Sequence, residues 1–508
     1  MRPIKKLLVT TALDSTWGSQ QNIIFLGEWC KKYSMKNFWQ SREYETLDYH
    51  WRDRAKLAKD HLYLESLNED VLTAMTLFLN DFHGVEKSVR YWRIIIGPWL
   101  LAYVSVIWDR WEAISLAIEL NDELETFVLD EALKKVIPKD FTSFREALDS
   151  DGWNHGIFAS ILKERAPSKI AVIALNTRLP LEITLPILQL TLRQKLLPAL
   201  ARFADSCFQK FSSNTKKILF FHSYFPRKHL LHFYFKLRLL PLWHSALKQK
   251  IYYPDAINRE GLALHGLKTK NDFESYLCKS IIGDTPVAYL EGYKGLSILS
   301  KTLAKARVIF TANAYIGNEL FKVWSAEQVL IGSKLIISAH GGALFPLYSM
   351  FDHEDKIADS RVVWGKEWLD SQTRMPPNKI YFKVKNYNQH EKILFIDYEA
   401  TRYSFRCVSC PVGPLVLDVF EHNNQFLQSL DKSIIRNLKV RPKFLGSWET
   451  ALRYKDNFGE NIISKEPTIL KDMQSSKLIV CSYPQTAFAE AMYSGIPTML
   501  LLTRDNWE

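Results

Sequence analysis

Apolar residues recur at three- and four-residue intervals over about residues 20–135, as in "DVLTAMTLFLNDFHG". That spacing predicts helices with one buried face. Residues 150–205 continue the pattern: "FREALDSDGWNHGIFASILKERAP" predicts two helices hinged at Gly152, and "TRLPLEITLPILQLTLRQKLLPALARF" a helical stretch punctuated by prolines. The texture then changes. "KKILFFHSYF" (216–225), "ARVIFTANA" (306–314), "KLIISAHGGA" (334–343) and "DSRVVWG" (359–365) are short apolar runs, and helical sequence generally separates them. Such alternation predicts a parallel sheet with crossover helices. A polar stretch with two prolines and no periodicity, 366–391, reads as an interdomain linker. Strand-like runs resume at "KILFIDYEA" (392–400), "NLKVRP" (437–442), "KLIVCS" (477–482) and "PTMLLL" (497–502). The layout is α/β with two domains. Residues 1–365 form the first, with a large helical insertion over about 20–205, and residues 392–508 form the second.

Two apolar segments bear on the membrane question. The opening "MRPIKKLLVTTALDSTW" has a basic start, but Asp14 follows at once and no small-residue cleavage site is present. Leu7 to Thr11 therefore reads as a strand, not as part of a signal peptide. The longest uncharged run, Ile94 to Trp108, is too short to span a bilayer and holds Gly97-Pro98, so it reads as a buried helix pair. A third stretch, "FPRKHLLHFYFKLRLLPLW" (225–243), is basic and aromatic. Its first reading is an internal amphipathic helix, and its second is peripheral contact with an anionic inner membrane.

Composition narrows the function classes. With 508 residues and 47% hydrophobic content, the chain can bury two or three cores. Aromatics at 13% suit thick cores or a sugar-binding surface. A net charge of +11 calls for an anionic partner, such as nucleotide phosphates, lipid phosphates or a membrane face. The basic residues are scattered and no recognition motif accompanies them, so nucleic acid is not expected. Six cysteines in this length make no disulfide framework, and Cys407 and Cys410 form a lone CxxC without further ligands. Reduced cytoplasmic thiols, no metal and no cofactor are expected.

Candidate chemistry clusters at strand ends. "SSKLIVCSYPQTAFAEAMYSGIPTMLLL" (475–502) reads as strand, polar turn, short helix and strand, with Gly495 and Pro497 as stop signals. Ser482, Gln485 and Thr486 lie where the helix start offers unpaired N–H groups and a favourable dipole to phosphate. Ligands of open α/β sheets gather at this carboxyl edge. Glu490, one turn on from Thr486, is placed to accept a hydrogen bond from a ribose or sugar hydroxyl. In "KLIISAHGGA", His340 directly follows a buried strand, and Gly341 and Gly342 permit close approach to the backbone. Histidine is the natural general base near neutral pH. Arg441 ends a strand before Pro442, and its guanidinium fork suits phosphate. Each feature has a plain structural counterpart: a helix cap, a strand-end histidine, a solvated glutamate and a surface arginine.

With these residues in place the chain resembles a GT-B glycosyltransferase, with two Rossmann-like domains facing a cleft. More narrowly, it is similar to a family of transferases from bacterial O-antigen and other surface-polysaccharide clusters. The resemblance is carried by "LLVTTALDSTW" (7–17), "FLGEWC" (25–30), "YHWRDRAKLAKDHLYL" (49–64), "LNDFHGVEKSVRYWRIIIGPWL" (79–100), "DGWNH" (151–155), "AHGGALF…DKIADSRVVWG" (339–365) and "SYPQTAFAEAMYSGIPTMLLL".

It implies transfer of a sugar from a nucleotide-sugar to a lipid-linked saccharide acceptor, without a metal. Ser482, Gln485, Thr486, Glu490 and Arg441 would form the donor side, and His340 would deprotonate the acceptor, with Asp14 and His155 next in line. His83, Arg90 and Tyr91 would either shape the acceptor pocket or, as the favoured reading, hold the helical insertion together. The alternatives are transfer of a polyol phosphate from a CDP-linked donor and a non-catalytic, degenerate homologue. Two departures stand out. Bulky Leu344-Phe345 follows the glycine turn, and the resemblance expects strand–helix units beyond "PTMLLL", which leaves the carboxyl-terminal domain incomplete or its edge uncovered.

Overall fold

A computed structural model describes residues 6–18, 22–120, 124–130, 136–173, 218–238, 247, 251–341, 350–379, 384, 387–407, 411–442 and 447–503. Among these residues the strands form three parallel sheets where two were expected. The first contains β1 (Lys6–Val9), β2 (Asn22–Phe25), β3 (Glu43–Thr46), β4 (Leu124–Leu129) and β5 (Ile170–Ile173), in the order β3-β2-β1-β4-β5. The second contains β6 (Ile218–Phe221), β7 (Val308–Thr311), β8 (Lys334–Ser338), β9 (Ser360–Val363) and β10 (Gln372–Arg374), side by side in chain order. The third contains β11 (Lys392–Ile396), β12 (Leu438–Arg441), β13 (Ser476–Cys481) and β14 (Thr498–Leu500), in the order β12-β11-β13-β14. Strand order reverses between β1 and β4 and between β11 and β13. Such switch points open a crevice at the carboxyl edge of a doubly wound sheet.

The helical reading of residues 20–135 is corrected by β2, β3 and β4, which lie inside it. These strands stand among helix-spaced apolar residues, and β3 is largely exposed, so neither period nor a continuous apolar run sets them apart. Helix does dominate between them. Arg54–His83 starts where the Asp53 carboxylate accepts from the amides of Ala55 and Lys56, and it ends at Gly84 with φ +64°. Val89–Leu120 is one continuous helix, not the expected pair, and it carries Pro98 internally. It is long and apolar enough to cross a membrane by composition, but 78% of its most apolar window is buried within the molecule. Packing on all sides offsets the hydrogen bond that Pro98 removes.

Gly97, beside it, is required by a close approach. A Cβ there would lie 2.3 Å from the His353 ring, in the wall of a cavity of about 100 Å³ between the two helices. Gly97→Ala is expected to destabilise the protein by about 1–3 kcal/mol, read by urea unfolding. The strain should largely vanish in a Gly97→Ala/His353→Ala double variant.

Three smaller expectations also change. Gly152 lies inside the helix Asp151–Arg165, and the break falls at Leu148–Ser150, where the Ser150 side chain caps the new helix. The polar strand β10 pairs with β9, so the middle sheet extends into the stretch read as linker. On β14, Met499 is exposed although the strand reads as apolar on both faces. The proline-punctuated stretch after Thr177, Gly342 and Cys410 lie outside the described residues.

The carboxyl-edge loops of the first and third sheets interlock. Arg402 donates to the Trp29 carbonyl at 2.6 Å and pairs with Asp151 at 2.7 Å, while the Tyr403 hydroxyl donates to Asp151 at 2.6 Å. Asp151 in turn accepts from the Ala12 amide, just past β1.

Candidate functional site

The carboxyl edge of the middle sheet is tied together by polar side chains. Past β6, His222 and Tyr224 adopt φ of +49° and +60°, a conformation that non-glycine residues hold only when their surroundings enforce it. The Ala312 amide donates to the His222 carbonyl at 3.1 Å, and Asn313 Nδ2 donates to the Tyr224 hydroxyl at 2.7 Å. Asn378 Nδ2 reaches the Ser223 carbonyl at 2.5 Å and Ser338 Oγ at 3.3 Å. His340 follows β8 into this edge. Its Nδ1 lies 3.9 Å from Oε1 of Glu354, a wholly buried carboxyl group on the helix Met350–Ile357. Glu354 accepts from the Tyr315 hydroxyl and lies 3.0 Å from Nε of Arg361. Burial pushes Glu354 up to about 7, against the pull of Arg361. Burial pushes His340 down to about 4, aided by the charges of Arg361 and Lys379. The imidazole is therefore neutral at neutral pH.

Three buried polar atoms at this edge lack a hydrogen-bond partner among the described residues: His340 Nδ1, Asn313 Oδ1 and Asn378 Oδ1. Each such atom costs about 1–3 kcal/mol, so their concentration at one strand-end edge points to a ligand.

The third sheet faces this edge. The helix Thr486–Ser494 follows β13, starts from an extended Gln485 without a side-chain cap, and stops at Gly495 with φ +83°. A Cβ on Gly341 would lie 2.8 Å from Thr486 Oγ1, so the turn after His340 abuts the helix start. Lys379 bridges the same gap. Its Nζ lies 3.8 Å from Glu490 Oε1 and sits over the Tyr224 ring at 5.6 Å. Glu490 is mostly buried, not solvated, and burial raises its pKa while Lys379 opposes.

His340, Gly341, Thr486 and Glu490 are thus brought together, with Gln485 at the helix start. Ser482 lies beneath them, at the switch point. It donates to Asp397 Oδ1 at 2.7 Å, and the same carboxyl group accepts from Asn423, Tyr454 and the Tyr398 amide. Ser482 therefore holds β11 and β13 together.

Arg441 is a correction. Its guanidinium folds back onto Asp472 and donates to the Glu466 carbonyl at 2.9 Å. Asp472 also holds Lys392 at 2.8 Å, so Arg441 belongs to an ion-pair cluster and is not turned towards a donor. His155 is also committed. Its Nε2 accepts from the Leu129 amide, which leaves Nδ1 as the donor to Thr10 Oγ1. Asp14 is exposed beside the first sheet and accepts from the Ser15 amide. His83 ties the end of the helix Arg54–His83 to the Tyr289 carbonyl, and Arg90 and Tyr91 join the helix Val89–Leu120 to the Ile357 carbonyl and Glu327.

Sequence reading passed over Lys379, Asn378, Tyr224, Asn313 and Glu354. The first two lie in the stretch read as linker, where nothing in the spacing marks them. Glu354 is one acid in "DHEDK", and nothing in the sequence sets it apart from the acids beside it.

The 2.8 Å approach makes a prediction. Gly341→Val is expected to push the turn away from the helix and weaken binding of a phosphorylated donor at least tenfold. The thermal midpoint should stay within a few degrees of the parent, because both strands remain paired. Undiminished binding by calorimetry would separate the turn from the site.

No curated protein matches the chain. A family model does, over residues 6–508, described as LIC12162 family transferase. With a match across nearly its whole length, the chain belongs to the LIC12162 family of transferases.

Proposed function

We propose that this transferase moves a sugar from a nucleotide-sugar to a lipid-linked saccharide acceptor in the synthesis of a surface polysaccharide. One observation carries the reading: the His340–Gly341 turn abuts the start of the helix Thr486–Ser494, with Lys379 between them and Glu490. A donor diphosphate at this helix start would meet N–H groups, the Thr486 hydroxyl and the Lys379 ammonium. Glu490 would accept from a hydroxyl of the donor. His340 would then take the proton from an acceptor hydroxyl as its oxygen bonds to the anomeric carbon. The bond from that carbon to the diphosphate breaks, and the nucleoside diphosphate leaves with the electron pair. Lys379 has a second effect. Its charge helps hold His340 near 4, so a bound dianion that offsets Lys379 raises the imidazole towards the range of an effective base.

A thermal-shift screen of nucleotides, nucleotide-sugars and CDP-linked polyols tests the reading. At least one nucleotide-sugar should raise the midpoint, and Thr486→Ala or Lys379→Ala should weaken its binding by about 1.5–3 kcal/mol. A shift with CDP-polyols alone would replace the sugar by a polyol phosphate. No shift with any of them would remove the donor site from this helix.

A further inference from the structure

The basic residues are spread along the chain, but one long segment lacks the acidic residues that offset them elsewhere. Between Ser206 and Pro254 there is no Asp or Glu, and there are nine Lys and Arg residues. Within it, the helix Arg227–Lys236 immediately follows the loop that carries Tyr224 into the candidate site. Its two faces differ. Phe233 stacks on Phe220 of β6 with ring centroids 6.1 Å apart, and Tyr234 meets the same ring edge-on at 5.8 Å. These two aromatics pin the helix to the sheet. On the opposite face Leu231 is 60% exposed and Phe235, one turn further on, is 84% exposed. Lys228 and His232 are exposed beside them, with Arg227 and Lys236 at the flanks. An internal amphipathic helix would bury its apolar side chains and solvate its charges. Here the inner face is already occupied by aromatics, and a second apolar pair points outward among basic residues.

We propose that this outer face docks on an anionic lipid surface, with Leu231 and Phe235 entering the acyl boundary and the basic residues meeting the head groups. Helices that lie in a membrane interface combine these features, apolar insertion with electrostatic attraction to anionic lipid. A soluble protein partner would favour acidic groups opposite the cations but gives no reason for the long basic segment around them. RNA would meet the charge but makes no use of an exposed leucine. The orientation also brings the Tyr224 edge of the site near the bilayer. Docking is read without turnover, so it stands or falls separately from the role of His340.

The test is co-sedimentation of the full chain with vesicles of phosphatidylcholine alone and with about 30% phosphatidylglycerol, at about 0.05 and 0.5 M salt. The protein should bind only the anionic vesicles and release at high salt. Leu231→Ser/Phe235→Ser should weaken binding at least tenfold, and so should Lys228→Glu/Lys236→Glu. The second pair leaves the apolar residues in place and keeps the test readable if the first fails to fold. Circular dichroism should show an unchanged thermal midpoint in both, since all four side chains are exposed. Three results would overturn the proposal: no binding to anionic vesicles, binding unaltered in both pairs, or retention on homopolymer RNA without vesicle binding.

Discussion

His340→Ala is expected to lower turnover by about 10²–10⁴ while the chain stays folded and still binds its donor. The imidazole is only partly exposed and its Nδ1 has no hydrogen-bond partner among the described residues, so its removal breaks a single hydrogen bond, to the Ala312 backbone, and leaves the fold in place. The pH profile gives a second readout. A base must be unprotonated, and a histidine held at about 4 stays neutral through the neutral range and is lost only as pH falls towards 4. The acid limb of kcat/KM, which reports the free enzyme, should therefore lie well below the usual histidine value. Lys379→Met removes one of the two cations that depress His340, so it should move that limb upward. With donor saturating, the limb of kcat should lie higher than that of kcat/KM, because the bound anion offsets the same charge. Near-parent turnover in His340→Ala would place the base elsewhere. A limb unmoved by Lys379→Met would mean that the acid limb does not report His340.

Arg110→Ala is expected to cost about 3–5 kcal/mol, a larger loss of stability than Gly97→Ala should bring. Arg110 is 1% exposed. It donates to Asn154 Oδ1 at 3.1 and 2.9 Å, to Asp109 at 2.5 Å and to the Ser404 carbonyl at 2.6 Å. Asp109 also accepts from the Tyr49 hydroxyl at 2.6 Å and lies 3.1 Å from His50 Nε2. Truncation would leave a buried carboxylate without its cation and a carbonyl without its donor. It would also cut a link between the long helix and the segment after β11, so loss of cooperativity should accompany the loss of stability. Urea unfolding followed at tryptophan and by circular dichroism would read both. A variant within about 1 kcal/mol of the parent would mean that water or rearranged neighbours replace the guanidinium. Arg110→Met, which removes the charge but keeps the volume, should be nearly as damaging.

The alternation of short β-branched runs with helical sequence was sufficient to identify the middle and third sheets as parallel, because strands buried on both faces are written as continuous apolar stretches. It was also sufficient for the helix after β13 and its end at Gly495, since a left-handed stop leaves a local mark. The first sheet was not legible in the same way. Glu43–Thr46 is largely exposed "EYET" and forms no apolar run, and Asn22–Phe25 lies among residues whose spacing reads as helix.

The site divides along the same line. His340, Gly341, Thr486 and Glu490 could be picked out because each stands at a strand end or helix start, which is a local property. Whether they meet is not local. Contact between Gly341 and Thr486 depends on how two separate sheets pack, and nothing in either stretch encodes the other. Arg441 shows the converse. Its strand-end position was read correctly, but a buried Asp472 thirty-one residues on captured its charge. Lys379 entered the site from a polar stretch without periodicity, where a single ammonium has no local signature. Local sequence determined the elements and the strand-end candidates, because those follow from neighbours a few residues apart. Only the tertiary structure decided which candidates face a common gap and which are spent on ion pairs, because pairing of charges follows distance in space.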